Sequence, residues 1–300
     1  MDQDSLSSAL RQAAAQLAEA GVPSPRVDAE LLAAHLLGLG LGELRAAALR
    51  GAPAPEGLND LIGERARRVP VQHLTGKAPF RRLELAVGPG VFVPRPETES
   101  VAQLALDLLQ GIGAPVVVDL GTGSGALAAA IADERPDARV YAIELSELAY
   151  AWASRNLAPF GNRVTLRLGD LREAFPELEG RVDLVVSNPP YIPAGAVPQE
   201  PEVAEHDPQM ALYGGGEDGL ELPMAALATA RRLLVPGGSV VVEHAEVQAA
   251  ALRRLAQQQG FEAAASHQDL TGRDRALTAR RPDEALTEDA AVGRPGNVEE

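Results

Sequence analysis

Apolar residues recur at intervals of three to four positions through the first part of the chain, which is the spacing of one helix face. A first helix is predicted to bury Leu6 and Leu17, and a third is predicted around Leu58. The second opens at Ser24-Pro25, because serine caps helices and proline tolerates the first helical position. The apolar stripe predicted for this second helix consists of Val27, Leu31, Leu32, His35, Leu36 and Leu37. Residues 1–78 are therefore predicted to form a small helical domain.

A different pattern begins near residue 79, where polar and apolar residues alternate. The run Phe80–Val87 predicts one strand, Gly88-Pro89-Gly90 a turn, and Val91–Pro94 a second short strand. Residues 79–94 are therefore predicted to form a β-hairpin linker. A helix is expected next, with Glu97 or Thr98 as its cap.

Strands and helices alternate through the rest of the chain. Strands are predicted at Val116–Leu120, Val140–Glu144, Val164–Leu168, Val182–Ser187, Ser239–Glu243, Phe261–Ser266 and Ala276–Ala279. Helices are predicted at Ala126–Ala132, Ser146–Asn156, Leu222–Leu234 and Val247–Gln259. This order predicts an α/β fold, an open and mostly parallel sheet with helices on both faces, over residues 95–281. The stretch 282–300 is acidic, rich in Gly and Pro and without apolar periodicity, and it is predicted to be a disordered tail.

Composition narrows the classes of function. The 300 residues carry a formal net charge of -15, which disfavours broad, sequence-independent binding to nucleic acid. The chain has no cysteine, so thiolate metal sites and cysteine nucleophiles are excluded, and its histidines do not group as a metal site. The N-terminus has no signal-peptide pattern and no apolar run has the length of a membrane span, so a cytoplasmic enzyme is expected.

A glycine-rich loop follows the strand at Val116–Leu120. In the segment Asp119–Gly125, Gly121, Gly123 and Gly125 permit a tight turn and the close approach of a ligand, and the following helix supplies free N–H groups. Thr122 and Ser124 lie between these glycines. The loop alone leaves two cofactors open, S-adenosyl-L-methionine or a dinucleotide, since Gly121-x-Gly123-x-x-Ala126 also fits the loose dinucleotide fingerprint.

Acidic residues follow the next two strands. Glu144 ends its strand, where a carboxylate can accept hydrogen bonds from both ribose hydroxyls of an adenosine ligand. Asp170 and Leu171 follow the third strand. Asp170 is a candidate partner of the adenine amino group, with Leu171 on the ring, but it is equally a candidate cap for the next short helix.

The tetrapeptide Asn188-Pro189-Pro190-Tyr191 is the most specific motif in the chain. It follows the buried strand Val182–Ser187, and its two prolines cannot continue a sheet because they lack the N–H of the ladder. The carbonyl groups, the Asn188 side chain and the Tyr191 ring then form a cup of acceptors beside an aromatic wall, which suits a planar –NH2 group. With the glycine loop and Glu144, this motif favours a methyltransferase over a dinucleotide enzyme.

The same motifs resemble the peptide chain release factor glutamine methyltransferases. Val93-Pro94-Arg95-Pro96-Glu97-Thr98-Glu99, the Asp119–Gly125 loop and Asn188–Tyr191 occur in that family's order. The segments His73–Gly76 and Asp269–Arg273 are also similar to that family, and the resemblance covers roughly residues 5–281. It implies a class I methyltransferase sheet of Rossmann-like type behind an N-terminal domain that recognises the release factor.

The resemblance further implies a reaction and its residues. The reaction is methyl transfer from S-adenosyl-L-methionine to the N5 side-chain amide of the glutamine in the Gly-Gly-Gln motif of class 1 release factors. Catalysis and substrate binding then fall to Asn188, Pro189, Pro190 and Tyr191. Cofactor binding falls to Gly121, Thr122, Gly123, Ser124, Gly125, Glu144, Asp170, Leu171 and Asn188, with Arg95, Pro96 and Thr98 nearby. The sequence departs from some relatives in having Leu171 in place of an aromatic residue, and it has Glu144 in place of aspartate. Asp207-Pro208 stands where relatives often have Glu-Pro, which leaves the role of that loop open.

Two alternatives stay open from the sequence. One is an amino methyltransferase acting on adenine or cytosine of DNA or RNA, because the same cup can hold a flipped base. The other is a non-catalytic factor that docks on the translation machinery through its helical domain. The loop Gly214-Gly215-Gly216 with Gly219 is either a flexible loop that shapes substrate access or a plain turn. A monomer is expected.

Overall fold

The computed structural model of the protein describes residues 5–283, so nearly all of the predicted tail lies outside the described residues. The N-terminal part is helical, as predicted, and α3 and α5 are additions that the apolar pattern did not indicate. The helices are α1 (Leu6–Glu19), α2 (Pro25–Leu37), α3 (Leu41–Leu49), α4 (Leu58–Ala66) and α5 (Val71–Thr75). Their core is apolar and contains Leu6, Leu17, Leu32, Leu44 and Ile62.

The buried face of α2 differs from the predicted stripe. Val27 is 46% exposed, and His35 is exposed rather than packed in the core. The inner face instead carries alanines with Leu32 and two acidic residues, Asp28 and Glu30. Both buried carboxylates form ion pairs. Asp28 accepts from Arg65 at 2.7 Å, and Glu30 pairs with Arg26 and Arg45. A buried carboxylate is tolerated when it has such partners. The spacing of apolar residues alone therefore assigned the wrong face of α2 to the core.

The β-hairpin lies earlier in the chain than predicted. Its antiparallel strands are β1 (Lys77–Phe80) and β2 (Leu83–Ala86), which turn at Arg81, a residue with a positive φ of 53°. The segment 91–94 is not a strand. The buried side chains of Val91 and Val93 pack beneath the hairpin, which explains why their alternation resembled a strand.

A seven-stranded sheet forms the second part of the molecule and confirms the predicted α/β fold. The strands are β3 (Val116–Leu120), β4 (Arg139–Glu144), β5 (Val164–Leu168), β6 (Val182–Ser187), β7 (Leu234–Glu243), β8 (Glu262–Gln268) and β9 (Asp274–Arg280). The helices are α6 (Thr98–Leu108), α7 (Ala126–Glu134), α8 (Glu147–Leu157), α9 (Pro201–His206), α10 (Gln209–Leu212), α11 (Glu221–Leu233) and α12 (Ala249–Gln258). The strand order is β5-β4-β3-β6-β7-β9-β8, and only the pairs that include β9 are antiparallel.

The topology places a crevice between β3 and β6. The chain winds outward from β3 to β5 on one side and then returns to lay β6 beside β3. Ligands of open α/β sheets bind outside the carboxyl ends of the strands at such a switch point. The two central strands are almost wholly buried because apolar clusters cover both faces of the sheet. The glycine loop after β3 and the Asn188 motif after β6 therefore open onto the same crevice.

An ion-pair network joins the helical part to the segment that follows β6. Arg65 of α4 contacts Asp28 and, at 2.7 Å, Glu202 of α9, and Arg68 contacts Glu202 at 2.5 Å. Burial opposes the charge on Glu202, but hydrogen bonds from Arg68 and Arg65 lower its pKa to about 2. Glu202 is therefore an anion at neutral pH and fixes α9 against the N-terminal helices.

Within residues 5–283, no single helix has both the length and the apolar character needed to cross a membrane. The pair α2 and α3, which meet at 92°, reaches those limits only when the two helices are counted together.

Candidate active site

A cavity of about 630 Å³ opens at the carboxyl ends of the central strands. Residues from the glycine loop, from the ends of β4 and β6 and from the segment around α9 line it. Its size is typical of sites for cofactors and small ligands. The predicted site residues on its wall are Gly121, Thr122, Gly123, Ser124, Glu144, Asp170, Leu171, Asn188, Pro189, Pro190 and Tyr191.

The glycine loop needs glycine because of its backbone. Gly121, Gly123 and Gly125 have φ values of 72°, 59° and 85°, a region that L side chains rarely adopt. A Cβ at Gly121 or Gly123 would have no atom within 4 Å, so the space beside both residues is open to a ligand. At Gly125 a Cβ would lie 3.1 Å from Leu157, and this glycine is not among the residues that line the cavity. Gly125 therefore serves the packing of α7 against α8 and is not brought to the site.

Glu144 connects the end of β4 to the glycine loop. One carboxylate oxygen accepts from the Gly123 N–H and the other from the Ser146 N–H, each at 2.8 Å. Burial raises the pKa of Glu144, and these N–H groups oppose the rise. Each oxygen keeps a further lone pair, so the carboxylate can also accept from two neighbouring hydroxyl groups of a ligand.

Asp119 supplies the second carboxylate of this part of the cavity. Its Oδ2 accepts from the Thr122 hydroxyl at 2.5 Å and from the Ala128 N–H at 3.2 Å. Its Oδ1 is buried and has no hydrogen-bond partner within residues 5–283. Burial raises the pKa of Asp119 to about 7. A buried, unpartnered carboxylate oxygen beside a cavity fits a cationic group of a ligand, which would supply the missing partner.

Asp170 is tied to its own turn. Its side chain accepts from the Arg172 N–H and pairs with the Arg172 guanidinium, both at 2.9 Å. The structure therefore shows the capping role that the sequence left open, while Asp170 still borders the cavity. Leu171 is buried in the same apolar cluster as Ile143, and both line the cavity. Together they provide an apolar wall for a flat ring.

The Asn188 motif is held by side chains from distant parts of the chain. The Asn188 Nδ2 donates to the Thr98 hydroxyl oxygen at 3.2 Å, and that hydroxyl donates to Glu243 Oε2 at 2.8 Å. The Tyr191 hydroxyl donates to Glu243 Oε1 at 3.2 Å. The Gln248 Nε2 donates to the Tyr191 carbonyl oxygen at 2.8 Å. The motif therefore rests on Thr98, which the sequence placed near the cofactor, and on Glu243 and Gln248, which the sequence pattern did not single out.

One expectation about this region is wrong. Glu97 holds the N-cap position of α6 but makes no side-chain capping bond, and the buried Thr98 hydroxyl is bonded to Glu243 instead of capping the helix. The glycine loop after α10 packs on the motif's backbone. A Cβ at Gly214 would lie 2.6 Å from the Pro190 carbonyl oxygen, and one at Gly219 would collide with the Tyr191 carbonyl oxygen.

Arg95 braces the segment that follows the motif. Its guanidinium donates to Asp207 Oδ2 at 2.6 Å and lies 4.9 Å from the centre of the Phe92 ring. Burial raises the pKa of Asp207 to about 6, and Arg95 opposes that rise. Arg95, Pro96 and Thr98 all border the cavity, as expected, but the charge of Arg95 faces Asp207. The role of Asp207, open from the sequence, is to anchor the end of α9 to Arg95.

The functional residues that sequence reasoning missed are Asp119, Glu243 and Gln248. Asp119 and Glu243 each occupy the buried carboxyl end of an apolar strand. An acid in that position was the signal available in the sequence, because burying a carboxylate is costly without a purpose. No comparable signal existed for Gln248, whose two carbonyl acceptors at Tyr191 and Asp218 come from loops.

Comparison with known proteins gives matches along most of the chain. Family profiles described as PrmC N-terminal domain and Methyltransferase small domain match residues 8–76 and 82–204. A release factor glutamine methyltransferase of Streptomyces coelicolor is 52% identical over 274 residues, which cover 90% of this chain and 96% of that protein. One from Bifidobacterium longum is 42% identical and covers 90% of this chain and 97% of that protein. A 4-amino-L-phenylalanine/4-methylamino-L-phenylalanine methyltransferase of Streptomyces pristinaespiralis is 43% identical, covering 92% and 95%. These relatives confirm the family that the sequence motifs indicated.

Proposed function

The chain belongs to the release factor glutamine methyltransferase family, and on that basis we propose that it methylates the glutamine side-chain nitrogen in the Gly-Gly-Gln motif of class 1 release factors. It is an enzyme, and S-adenosyl-L-methionine is its methyl donor. The observation that carries the proposal is the hydrogen bond from Asn188 Nδ2 to Thr98. Because the amino end of the Asn188 amide is engaged there, its oxygen remains as the acceptor for a substrate –NH2 group.

The motif after β6 holds the substrate nitrogen. The Asn188 Oδ1 and the Pro189 carbonyl oxygen accept the two N–H bonds of the glutamine amide. The Tyr191 ring packs beside the flat amide and fixes its plane. Two acceptors also stabilise the positive charge that develops on nitrogen as its lone pair forms the new bond. The methylated nitrogen is acidic, so the proton leaves after transfer and the site needs no general base before it.

The cofactor is held on the opposite side of the cavity. When bound, S-adenosyl-L-methionine supplies an electrophilic methyl group on a sulfonium. Glu144 would accept from the two ribose hydroxyls, and the backbone of Gly121–Ser124 would border the amino acid end. Leu171 would pack on the adenine ring, with Asp170 beside it. The buried, unpartnered oxygen of Asp119 would accept from a cationic group of the cofactor, which would offset the cost of burying the carboxylate.

The remaining parts have distinct tasks in this proposal. Residues 1–78 recognise the release factor, residues 79–94 link the two parts, and residues 95–281 carry the transfer. The protein acts in the cytoplasm on translation termination, and it acts as a monomer. The nucleic-acid alternative is not favoured, since the curated relatives modify a protein or an amino acid and the net charge is -15.

The test is a methylation assay with labelled S-adenosyl-L-methionine and a purified class 1 release factor. A release factor whose Gly-Gly-Gln motif carries alanine in place of glutamine is the substrate control, and Asn188→Ala is the enzyme control. The expected result is label on the wild-type factor only, located to that glutamine by mass spectrometry, and strongly reduced with Asn188→Ala.

Two outcomes overturn the proposal. Equal labelling of the glutamine and alanine forms of the factor would exclude the motif as the target. No labelling of either form, together with transfer to 4-amino-L-phenylalanine or to RNA or DNA in parallel reactions, would assign the chain to a different substrate class. The 4-amino-L-phenylalanine reaction is included because one relative at 43% identity carries that name.

A further inference from the structure

A single buried carboxylate holds both polar side chains of the substrate cup. Glu243 ends β7 and is 2% exposed, and each of its two oxygens receives one hydrogen bond. Oε2 accepts from the Thr98 hydroxyl, and the Thr98 oxygen accepts from the Asn188 Nδ2. Oε1 accepts from the Tyr191 hydroxyl. The orientation of these side chains therefore depends on a residue from a different strand, far beyond the motif in the sequence.

When Glu243 is ionised, proton count fixes the direction of each hydrogen bond along this chain. The carboxylate then has no proton and can only accept, so the single hydroxyl proton of Thr98 is used on it. The Thr98 oxygen is then left as an acceptor. It can bond the Asn188 amide only through the –NH2 end, which places Oδ1 on the other branch of that planar group. An amide that could flip would present donors to the substrate instead of an acceptor.

We propose that Glu243 and Thr98 are positioning residues for methyl transfer, which set the amide orientation of Asn188 and the ring of Tyr191 so that the cup presents acceptors to the substrate –NH2 group. This proposal rests on the function proposed above. Neither residue needs to touch the reacting atoms, and each acts through Asn188 or Tyr191.

The orientation of Asn188 also depends on the protonation state of Glu243. Burial raises its pKa to about 7, hydrogen bonds from Thr98 and Tyr191 and the charge of Arg275 oppose the rise, and the charge of Glu97 adds to it. A protonated Glu243 could donate to the Thr98 oxygen. The Thr98 hydroxyl could then donate to Asn188 Oδ1, and the Asn188 amide would be held in the opposite orientation. Activity should therefore rise as Glu243 loses its proton near pH 7.

The decisive variants change hydrogen bonding while keeping shape. Glu243→Gln and Thr98→Val are each expected to lower kcat by roughly 10- to 100-fold, below the loss of a fully removed polar group, with a smaller change in KM. Thr98→Ser keeps the hydroxyl and should restore activity to within about 3-fold of wild type. Glu262→Gln on β8 and Thr229→Val in the buried face of α11 are matched controls outside the cavity, and both should behave as wild type.

A double-mutant cycle separates positioning from general damage. Because Thr98 acts only through Asn188, Thr98→Val should cost less than about 3-fold once Asn188→Ala is present, since the effects of interacting residues are not additive. The rise of kcat near pH 7 should also disappear in Glu243→Gln. Additive losses, or an unchanged pH profile, would overturn the proposal.

A readout without catalysis distinguishes failure of this proposal from failure of the proposed function. The side-chain amide resonances of Asn188, assigned by their loss in Asn188→Asp, should shift in Thr98→Val and Glu243→Gln but not in Thr98→Ser. Unchanged resonances in all variants would overturn the positioning proposal even if release factor is methylated. Shifted resonances in a protein that does not methylate release factor would overturn the substrate and keep the orientation of Asn188.

Discussion

The two sides of the cavity are built in different ways. On the cofactor side, Asp119 and Glu144 bond to groups no more than 21 positions away in the sequence, at Thr122, Gly123 and Ser146. On the substrate side, Asn188 depends on Thr98, 90 positions away, and Thr98 on Glu243, 145 positions away. The cofactor side is therefore a local structure that β3, β4 and their loops carry with them. The substrate side exists only after α6 and β7 have packed against β6.

Removal of the Asn188 side chain should have the largest effect on activity. Asn188→Ala deletes the oriented acceptor, and we expect kcat for release factor methylation to fall by roughly 10²–10³-fold. Steady-state kinetics measure this loss, and Asn162→Ala, an exposed asparagine after α8, is the control. An Asn188→Ala enzyme with nearly full kcat would remove this residue from the chemistry.

Loss of the Glu144 carboxylate should break the cofactor side selectively. Glu144→Ala removes the acceptor for two ligand hydroxyls. We expect the cofactor Kd to rise by about 10- to 100-fold, which is the effect of losing a hydrogen bond to a charged group. Glu144→Asp should retain part of the affinity, and Glu147→Ala, three positions away and exposed, should bind normally. Calorimetric titration with S-adenosyl-L-homocysteine gives the three affinities. Equal binding by all of them would refute the assignment of Glu144.

A methyl group at Gly219 should damage the substrate side and leave cofactor binding intact. Gly219→Ala must displace the backbone of Tyr191 or Pro193, and we expect kcat/KM for release factor to fall about 10-fold, the scale of a displaced reacting group. Gly111→Ala has a similar positive φ of 81° but nothing within 4 Å, so it isolates the backbone strain. If both variants lose activity equally, backbone strain alone accounts for the loss, and the contact between Gly219 and the Tyr191 backbone has no specific role.

The buried acid of the cofactor side should be visible in stability against pH. The pKa of Asp119 is raised by burial from 3.8 to about 7, so between these values the folded state keeps a proton that the unfolded state has released. The free energy of unfolding should fall as pH rises through this window, with a slope from this group of up to about 1.4 kcal/mol per pH unit. Asp119→Asn should lose that component of the slope.

Urea unfolding at several pH values measures this slope. Asp137→Asn is the control, because hydrogen bonds from Arg135 and the Ala114 N–H lower the pKa of that exposed carboxylate to about 2, outside the window. Asp207 and Glu243, with pKa values raised to about 6 and about 7, should keep part of the slope in every variant. An Asp119→Asn protein with the wild-type slope would contradict the raised pKa.

Local patterns accounted for most of the elements. The strands β3, β5 and β6 begin and end where the sequence predicted. The central strands β3 and β6 are continuous apolar segments because a buried parallel strand needs one, and the edge strand β5 alternates apolar and polar residues. The helix α2 and the hairpin were less accurately predicted. In α2, carboxylates with arginine partners occupy the inner face. Around Val91, a loop buries alternate residues and so has the same sequence pattern as a strand. In both places the outcome depended on partners from other elements.

The sequence by itself determined the individual strands, the glycine loop, Glu144 and the Asn188 motif, since each depends on residues adjacent along the chain. Only the tertiary structure decided how the motif is oriented. Thr98 could not be distinguished from a helix cap, nor Glu243 from a strand-end acid, until β7 and α6 met at the end of β6. The physical reason is that a hydrogen bond between side chains requires proximity in space. For Thr98 and Glu243 that proximity is created by the packing of the sheet and not by their positions in the sequence.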